Sequence, residues 1–175
     1  MTIFNFLKKD RRVKSREFRR LYGRLVAQDV MMSLPYVGMW VKNSKFELLE
    51  ISDQAASILY DRLSNQCVGL TDYCIAKECG MNVTEDQFAN VCRASDLYLT
   101  DYKPKCFIEF ISDAHGNEHI WKTIKSKVYV EEEYYYFGFA TFLDVMLGSY
   151  VAANELFHSD MCKLERINDR LFAYK

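Results

Sequence analysis

The chain has 175 residues, and its 23 basic and 24 acidic side chains give a net charge of −1. Half of the residues are hydrophobic and 15% are aromatic, which excludes an intrinsically disordered chain, and the low content of proline (two) and glycine (seven) excludes a collagen-like or low-complexity protein. No apolar run approaches the roughly 18 residues that a membrane-spanning helix needs.

The first 27 residues differ from the rest in charge. They hold nine basic and two acidic side chains, a net charge of +7, so the remaining residues carry −8. Apolar residues at three- and four-residue spacing predict a helix over 15–33, with arginines on its opposite face. Three interpretations of this basic segment stay open: the solvated face of a packed helix, contact with an anionic membrane surface, or contact with nucleic-acid phosphates.

The six cysteines show no CxxC pair, and several lie in apolar runs. A secretory signal places basic residues before its apolar run, whereas here the apolar residues at 3–7 precede the basic cluster. We therefore expect reduced, mostly buried thiols in a cytoplasmic protein.

The middle of the chain alternates between strand and helix patterns. Short apolar segments at 36–42 and 46–52 predict a β-hairpin. Ser52 predicts the N-cap of a helix that continues through Leu59. Residues 61–84 are expected to be irregular with short helical turns, and 86–99 to be helical.

Strand patterns return at 106–111 and 120–130, which flank a turn at 113–117 and predict a second hairpin. A further strand is predicted at 134–143. Hairpins at both ends with helices between them favour an α+β domain with helices on one face of the sheet. The last strand is apolar on both faces, which predicts core on one side and a terminal helix or a partner subunit on the other.

Helical spacing over 148–172 predicts a C-terminal helix. Its seam has alternating steps of four and three, a coiled-coil-like pattern with one polar position, formed by Phe157, Met161, Leu164, Asn168 and Leu171. Dimerisation through the terminal helices and packing of this helix against the sheet or the N-terminal helix both remain open.

Several segments in this order resemble motifs of PAS domains. They are Pro35–Lys42, Ser52-Asp53-Gln54-Ala55-Ala56 with Leu59, Val68-Gly69-Leu70-Thr71-Asp72, Asp96, Asp113 with Gly116, Trp121-Lys122-Thr123-Ile124-Lys125, and Asp144-Val145. The resemblance covers residues 33–147. The Gly-x-Thr-Asp step is similar to that of sensor domains in quorum-sensing-type transcription regulators.

The resemblance implies a PAS fold: a five-stranded antiparallel sheet with helices on one face. Together with the terminal helices predicted from spacing, it divides the chain into a basic N-terminal arm and helix at 1–33, a PAS-like domain at 34–147 and a C-terminal helix at 148–175. The resemblance also implies a small ligand held between the sheet and the helices.

Strand alternation places Trp121, Thr123 and Lys125 on one face of their strand. The resemblance makes Lys125 the candidate that would hold a carbonyl or carboxylate of a ligand, with Lys42 and Asp72 as further partners. The alternative is a surface strand with an exposed lysine.

No cofactor or catalytic pattern stands out. The helix at 86–99 lacks the histidine that haem-binding PAS domains use, and the flavin-binding motif is not matched, so neither haem nor flavin is expected. His115 and His119 have no evident third metal ligand. We therefore predict a non-enzymatic, cytoplasmic sensory or interaction module that binds a small molecule or a partner and signals as a homodimer. The alternative is a nucleic-acid-associated regulator that uses the basic segment.

Overall fold

A computed structural model describes residues 35–81, 88–100, 103–130 and 132–175. The basic segment 1–27 and the helix predicted at 15–33 lie outside these ranges, as do the first two residues of the helix predicted at 86–99.

Within these ranges the chain alternates between hairpins and helices. The strands are β1 (Val37–Lys42), β2 (Leu48–Ile51), β3 (Lys105–Ser112), β4 (Glu118–Val130), β5 (Glu133–Phe142), β6 (Leu164–Asn168) and β7 (Leu171–Tyr174). The α-helices are α1 (Asp53–Tyr60), α2 (Ser64–Cys67), α3 (Asp72–Glu78), α4 (Phe88–Leu97), α5 (Leu143–Leu147) and α6 (Tyr150–Asp160).

All seven strands form one antiparallel sheet in the order β2-β1-β5-β4-β3-β7-β6. Both predicted hairpins, β1–β2 and β3–β4, are confirmed, and β5 lies between them. The mixed architecture of an antiparallel sheet with helices is therefore as expected, but the sheet has seven strands instead of five.

The prediction of one C-terminal helix over 148–172 was wrong. Helix α6 ends at Asp160, a short 3-10 turn follows, and β6 and β7 then form a hairpin. The turn between β6 and β7 is stabilised by a hydrogen bond from the Arg170 backbone N–H to Asn168 Oδ1 at 2.8 Å. The apolar spacing was compatible with a helix, but pairing of β7 with β3 buries Leu171 and Ala173 in the core, which decides the outcome.

Two side-chain caps fix the helices that face the sheet. Ser52 Oγ accepts a hydrogen bond from the Ala55 backbone N–H, so α1 begins directly after β2, as predicted. Thr71 Oγ1 accepts from the Cys74 N–H and starts α3. Asp72 therefore lies in the first turn of α3, next to the positive end of the helix.

The inner face of the sheet packs against α1–α4 in a large apolar core. Gly138 on β5 lies directly under Trp40 on β1, its partner in the strand register. A Cβ at Gly138 would lie 2.0 Å from Trp40 Cε2, so glycine is required for this close approach.

The outer face is also covered in part, which corrects the expectation of helices on one face only. Phe157 of α6 packs with Ile108 and Ile120 in a second cluster, and its ring centroid lies 4.9 Å from that of Phe110. On the other half of the outer face, residues of β1 and β5 are buried as well: Val37, Met39, Val41, Tyr135 and Phe137. Burial of β5 on both faces agrees with its sequence pattern.

Among the described residues, no helix has both the length and the apolar character that crossing a membrane would require.

Candidate functional site

Two lysines lie inside the core, on the inner face of the sheet. Lys42 ends β1 and Lys125 lies in β4, and each is only 1% exposed. A buried ammonium group is costly unless carboxylates and hydrogen bonds compensate it. The surroundings of both amino groups therefore define the site.

Lys42 binds two carboxylates contributed by two helices. Its Nζ lies 2.6 Å from Asp72 Oδ2 at the start of α3 and 2.7 Å from Asp96 Oδ2 in α4. The Tyr60 hydroxyl donates to the other oxygen of Asp72 at 3.0 Å. These contacts tie β1 to α1, α3 and α4.

Lys125 has four polar neighbours. Its Nζ donates to Ser95 Oγ at 2.5 Å and lies 2.9 Å from Glu109 Oε1, 3.2 Å from Asp96 Oδ1 and 3.5 Å from the Cys92 carbonyl. Asp96 thus bridges the two lysines. The amino group is already occupied by protein atoms.

The cluster holds two ammonium groups and three carboxylates. Burial opposes the charge of Lys42, but Asp72 and Asp96 outweigh it and raise the lysine pKa. Burial also opposes the charge of Asp96, yet Lys125 and Lys42 keep the pKa of that carboxyl below its usual range. Burial also lowers the pKa of Lys125, but Asp96 and Glu109 outweigh it and raise the pKa above its usual value. Both lysines and Asp96 are therefore charged at neutral pH.

Four polar side chains in and beside the ion-pair cluster have atoms without a hydrogen-bond partner among the described residues. These atoms are Trp121 Nε1, Thr123 Oγ1, Asp96 Oδ1 and both carboxylate oxygens of Glu109; Asp96 Oδ1 and Glu109 Oε1 each have only an ion pair with Lys125. The four side chains are at most 1% exposed. A buried polar atom without a partner costs about 1–3 kcal/mol, so each is a place where a bound molecule would gain.

Aromatic rings border these atoms. The centroids of Trp40 and Trp121 lie 6.0 Å apart, and Phe142 lies 4.5 Å from Trp121. Lys125 Nζ lies 5.4 Å from the Trp40 ring centroid. The site thus combines flat apolar surfaces with a few directed polar groups, as small-molecule sites do.

The structure buries all five predicted site residues: Lys42, Trp121, Thr123 and Lys125 on the sheet, and Asp72 at the start of α3. The alternative of an exposed lysine on a surface strand was wrong. Lys42 and Asp72 form a direct ion pair, while Asp96 connects Lys125 to them.

Sequence reasoning missed Glu109, Ser95 and Tyr60. One signal was available for Glu109, because strand alternation places it on the same face as Phe107 and Ile111, a charge amid core residues. Ser95 and Tyr60 carried no comparable signal, since their roles depend on packing between distant elements.

A second polar group lies where the β3–β4 turn meets α5. His119 Nδ1 lies 2.6 Å from Asp144 Oδ2, and His119 Nε2 lies 3.2 Å from Asp113 Oδ2. The hydrogen bond to Asp144 is the main cause that raises the histidine pKa. Within the described ranges, no group of three or more His, Cys, Asp or Glu residues could hold a metal ion.

No family model and no curated protein matches this chain. Solved structures do: the PAS domain of an HTR-like protein from Haloarcula marismortui has a TM-score of 0.47 at 8% identity, over 74% of this chain and 99% of that one. The phage VqmA–DPO complex has a TM-score of 0.48 at 15% identity, over 87% and 64%. VqmA bound to DPO has a TM-score of 0.46 at 14% identity. The last match spans 65% of this chain and about half (56%) of that VqmA chain.

Proposed function

We propose that this chain is a non-enzymatic sensory module of the PAS type that binds a small polar molecule between the inner face of the sheet and α4. One observation carries the proposal: Glu109, Trp121 and Thr123 have unpartnered polar atoms inside the core, beside paired tryptophans. The motif resemblance over 33–147 agrees with it.

The positions of these atoms favour a ligand that contacts β3 and β4 together. Glu109 and Trp121 are direct partners in the β3–β4 register, and Thr123 is two residues further along the same face. A molecule with both a donor and an acceptor would satisfy the carboxylate and the indole N–H at once. Lys125 would then orient Glu109 and need not contact the ligand itself.

The ion pairs offer a route for the signal. A ligand that changes the position of Glu109 also changes a contact of Lys125, and through Asp96 a contact of Lys42. These residues belong to β3, β4, α4 and β1, so a local displacement reaches both halves of the sheet. Signalling through a homodimer stays part of this proposal, although the C-terminal seam that suggested it is not a continuous helix.

The proposal is tested by native mass spectrometry of freshly purified full-length protein, followed by thermal unfolding with added DPO, the molecule held by the similar VqmA structures. We expect either a retained small molecule or stabilisation by DPO. Thr123→Val should abolish the ligand retention or the stabilisation by DPO. Ile124→Ala, on the opposite face of β4, should leave both unchanged. Absence of a retained molecule and of stabilisation would reject the proposed function.

A second candidate, nucleic-acid binding, is favoured by the +7 charge of residues 1–27. It predicts binding to duplex DNA or RNA that weakens steeply with salt and disappears when 1–27 is deleted. Binding that survives the deletion, or no binding by the full chain, would reject it.

A further inference from the structure

Three side chains form a stacked column at one edge of the inner face. The guanidinium carbon of Arg93 lies 4.5 Å from the Phe46 ring centroid. The Phe46 ring stacks on Tyr136, with centroids 4.9 Å apart and planes at 23°. Lys127 adds a cation 5.6 Å from the Tyr136 ring. Cation–π and stacking contacts therefore hold Phe46 on both sides.

The column extends from solvent to the lysine cluster. Arg93 is exposed, Phe46 is half-buried and Tyr136 is buried. Tyr136 is the register partner of Lys42, and the next inner pair along the same two strands is Trp40 with Gly138. Phe46 thus lies between solvent-exposed Arg93 and Tyr136, and Tyr136 is adjacent to Lys42 of the candidate site.

Phe46 also has an unusual backbone conformation, with φ at +64°. Glycine adopts this left-handed region readily, whereas an aromatic residue rarely does. The turn does not depend on the ring, because Asn43 Oδ1 accepts the backbone N–H groups of Lys45 and Glu47. The Phe46 N–H donates to the Asn43 carbonyl at 3.0 Å. An aromatic side chain at a position that suits glycine points to a role for the ring itself.

We propose that Phe46 is the gate of the site: its ring closes the path between the β1–β2 turn, α4 and β5, and Arg93 holds it closed. The inference rests on the proposed function in that the gate serves the ligand site. Opening requires the ring to leave the Arg93–Tyr136 stack, a side-chain movement that the Asn43-bonded turn permits without loss of its backbone hydrogen bonds.

Tryptophan fluorescence can measure whether solutes reach the site through this gate. Its only two tryptophans, Trp40 and Trp121, both lie at the site and are 4% and 1% exposed. Collisional quenching of their fluorescence by acrylamide, a small neutral amide, measures how often a solute reaches the site. Fluorescence lifetimes separate this dynamic quenching from static complexes.

We expect weak quenching in the full-length wild-type chain and at least a twofold larger quenching constant in Phe46→Gly. Glycine suits the turn, so this variant should remain folded, which its urea-unfolding midpoint checks. Arg93→Gln should give a smaller increase because the ring loses one of its two supports. Ile124→Ala, which removes an exposed apolar side chain from the outer face of β4, is the matched control and should not change quenching.

Quenching in Phe46→Gly equal to that of the wild type would overturn the gate, and so would strong quenching in the wild type. An increase that follows global unfolding, rising in proportion with low urea, would overturn it as well. The quenching measurements do not depend on ligand binding. If the protein retains a ligand but Phe46→Gly and the wild type are quenched equally, only the gate is rejected. If Phe46→Gly is quenched more strongly but no ligand binds, only the proposed function is rejected.

Discussion

The ammonium group of Lys42 lies 2.7 Å from Asp96 Oδ2, although 54 residues separate the two in the chain and both side chains are almost completely buried. This contact joins the first strand of the sheet to the helix that covers it. Because a buried charge depends on its partner, the pair makes the relative position of β1 and α4 specific.

Replacing Lys42 by Met should lower the free energy of unfolding by about 3–5 kcal/mol, because Asp72 would stay buried without its cation and Asp96 would keep only Lys125. Urea denaturation measures the loss. Lys163→Met removes an exposed lysine from an ion pair with Asp160 and should leave stability unchanged within error. An equal, small effect of both substitutions would show that Lys42 is not paired as described.

The loss of stability caused by Lys125→Met should be partly restored by a second substitution, Glu109→Gln, that removes a neighbouring charge. Lys125→Met leaves Glu109 without its only ion-pair partner among the described residues, whereas the double variant with Glu109→Gln replaces that carboxylate by a neutral amide. In a double-mutant cycle we expect a coupling free energy of about 0.5–3 kcal/mol, favourable to the pair. Strictly additive effects would contradict a direct interaction between Lys125 and Glu109.

Gly138→Ala should destabilise the protein by about 1–3 kcal/mol, because the new methyl group would overlap the Trp40 ring. The tryptophan emission should shift as well, since Trp40 has to move. Gly116 has open space around it but a φ of +81°, so Gly116→Ala tests backbone strain without a clash and should leave the emission unchanged. An unshifted spectrum in Gly138→Ala would argue against the close approach.

His119 should stabilise the fold in a pH-dependent way. Both ring nitrogens face carboxylates, an arrangement that needs the doubly protonated ring, and Asp144 and Asp113 raise its pKa. The contribution is therefore fully present below the unfolded pKa of about 6.5 and is lost as pH rises through the higher folded value. The stability difference between wild type and His119→Asn should be largest below about pH 6.5 and should shrink as the pH rises above that value. A difference that grows with pH would contradict the pairing.

Leu171→Ala should cost about 2–5 kcal/mol, because Leu171 is fully buried in β7. Met161→Ala serves as its control: both positions belong to the helical seam predicted from the sequence, but Met161 is 49% exposed. Thermal unfolding of both variants distinguishes the hairpin from a continuous helix, since the helix would make the two losses similar.

Strand alternation was enough to place Trp121, Thr123 and Lys125 on one face, because side chains in a strand point to alternate sides whatever the partner is. The hairpins were predictable because their turns are local. The C-terminal hairpin was not, since Leu164 and Leu171 satisfy helical spacing as well, and only pairing with β3 selects the strand.

The sequence by itself determined the mixed class of fold, the β1–β2 and β3–β4 hairpins and the residues that share one face of β4, because turns, caps and alternation act within a few residues. Only the tertiary structure decided that this face is buried, that Lys125 is bound to Ser95, Glu109 and Asp96, and that Glu109, Trp121 and Thr123 have polar atoms without a hydrogen-bond partner. Burial and charge pairing between residues distant in the chain depend on how the elements pack, and that information is not local.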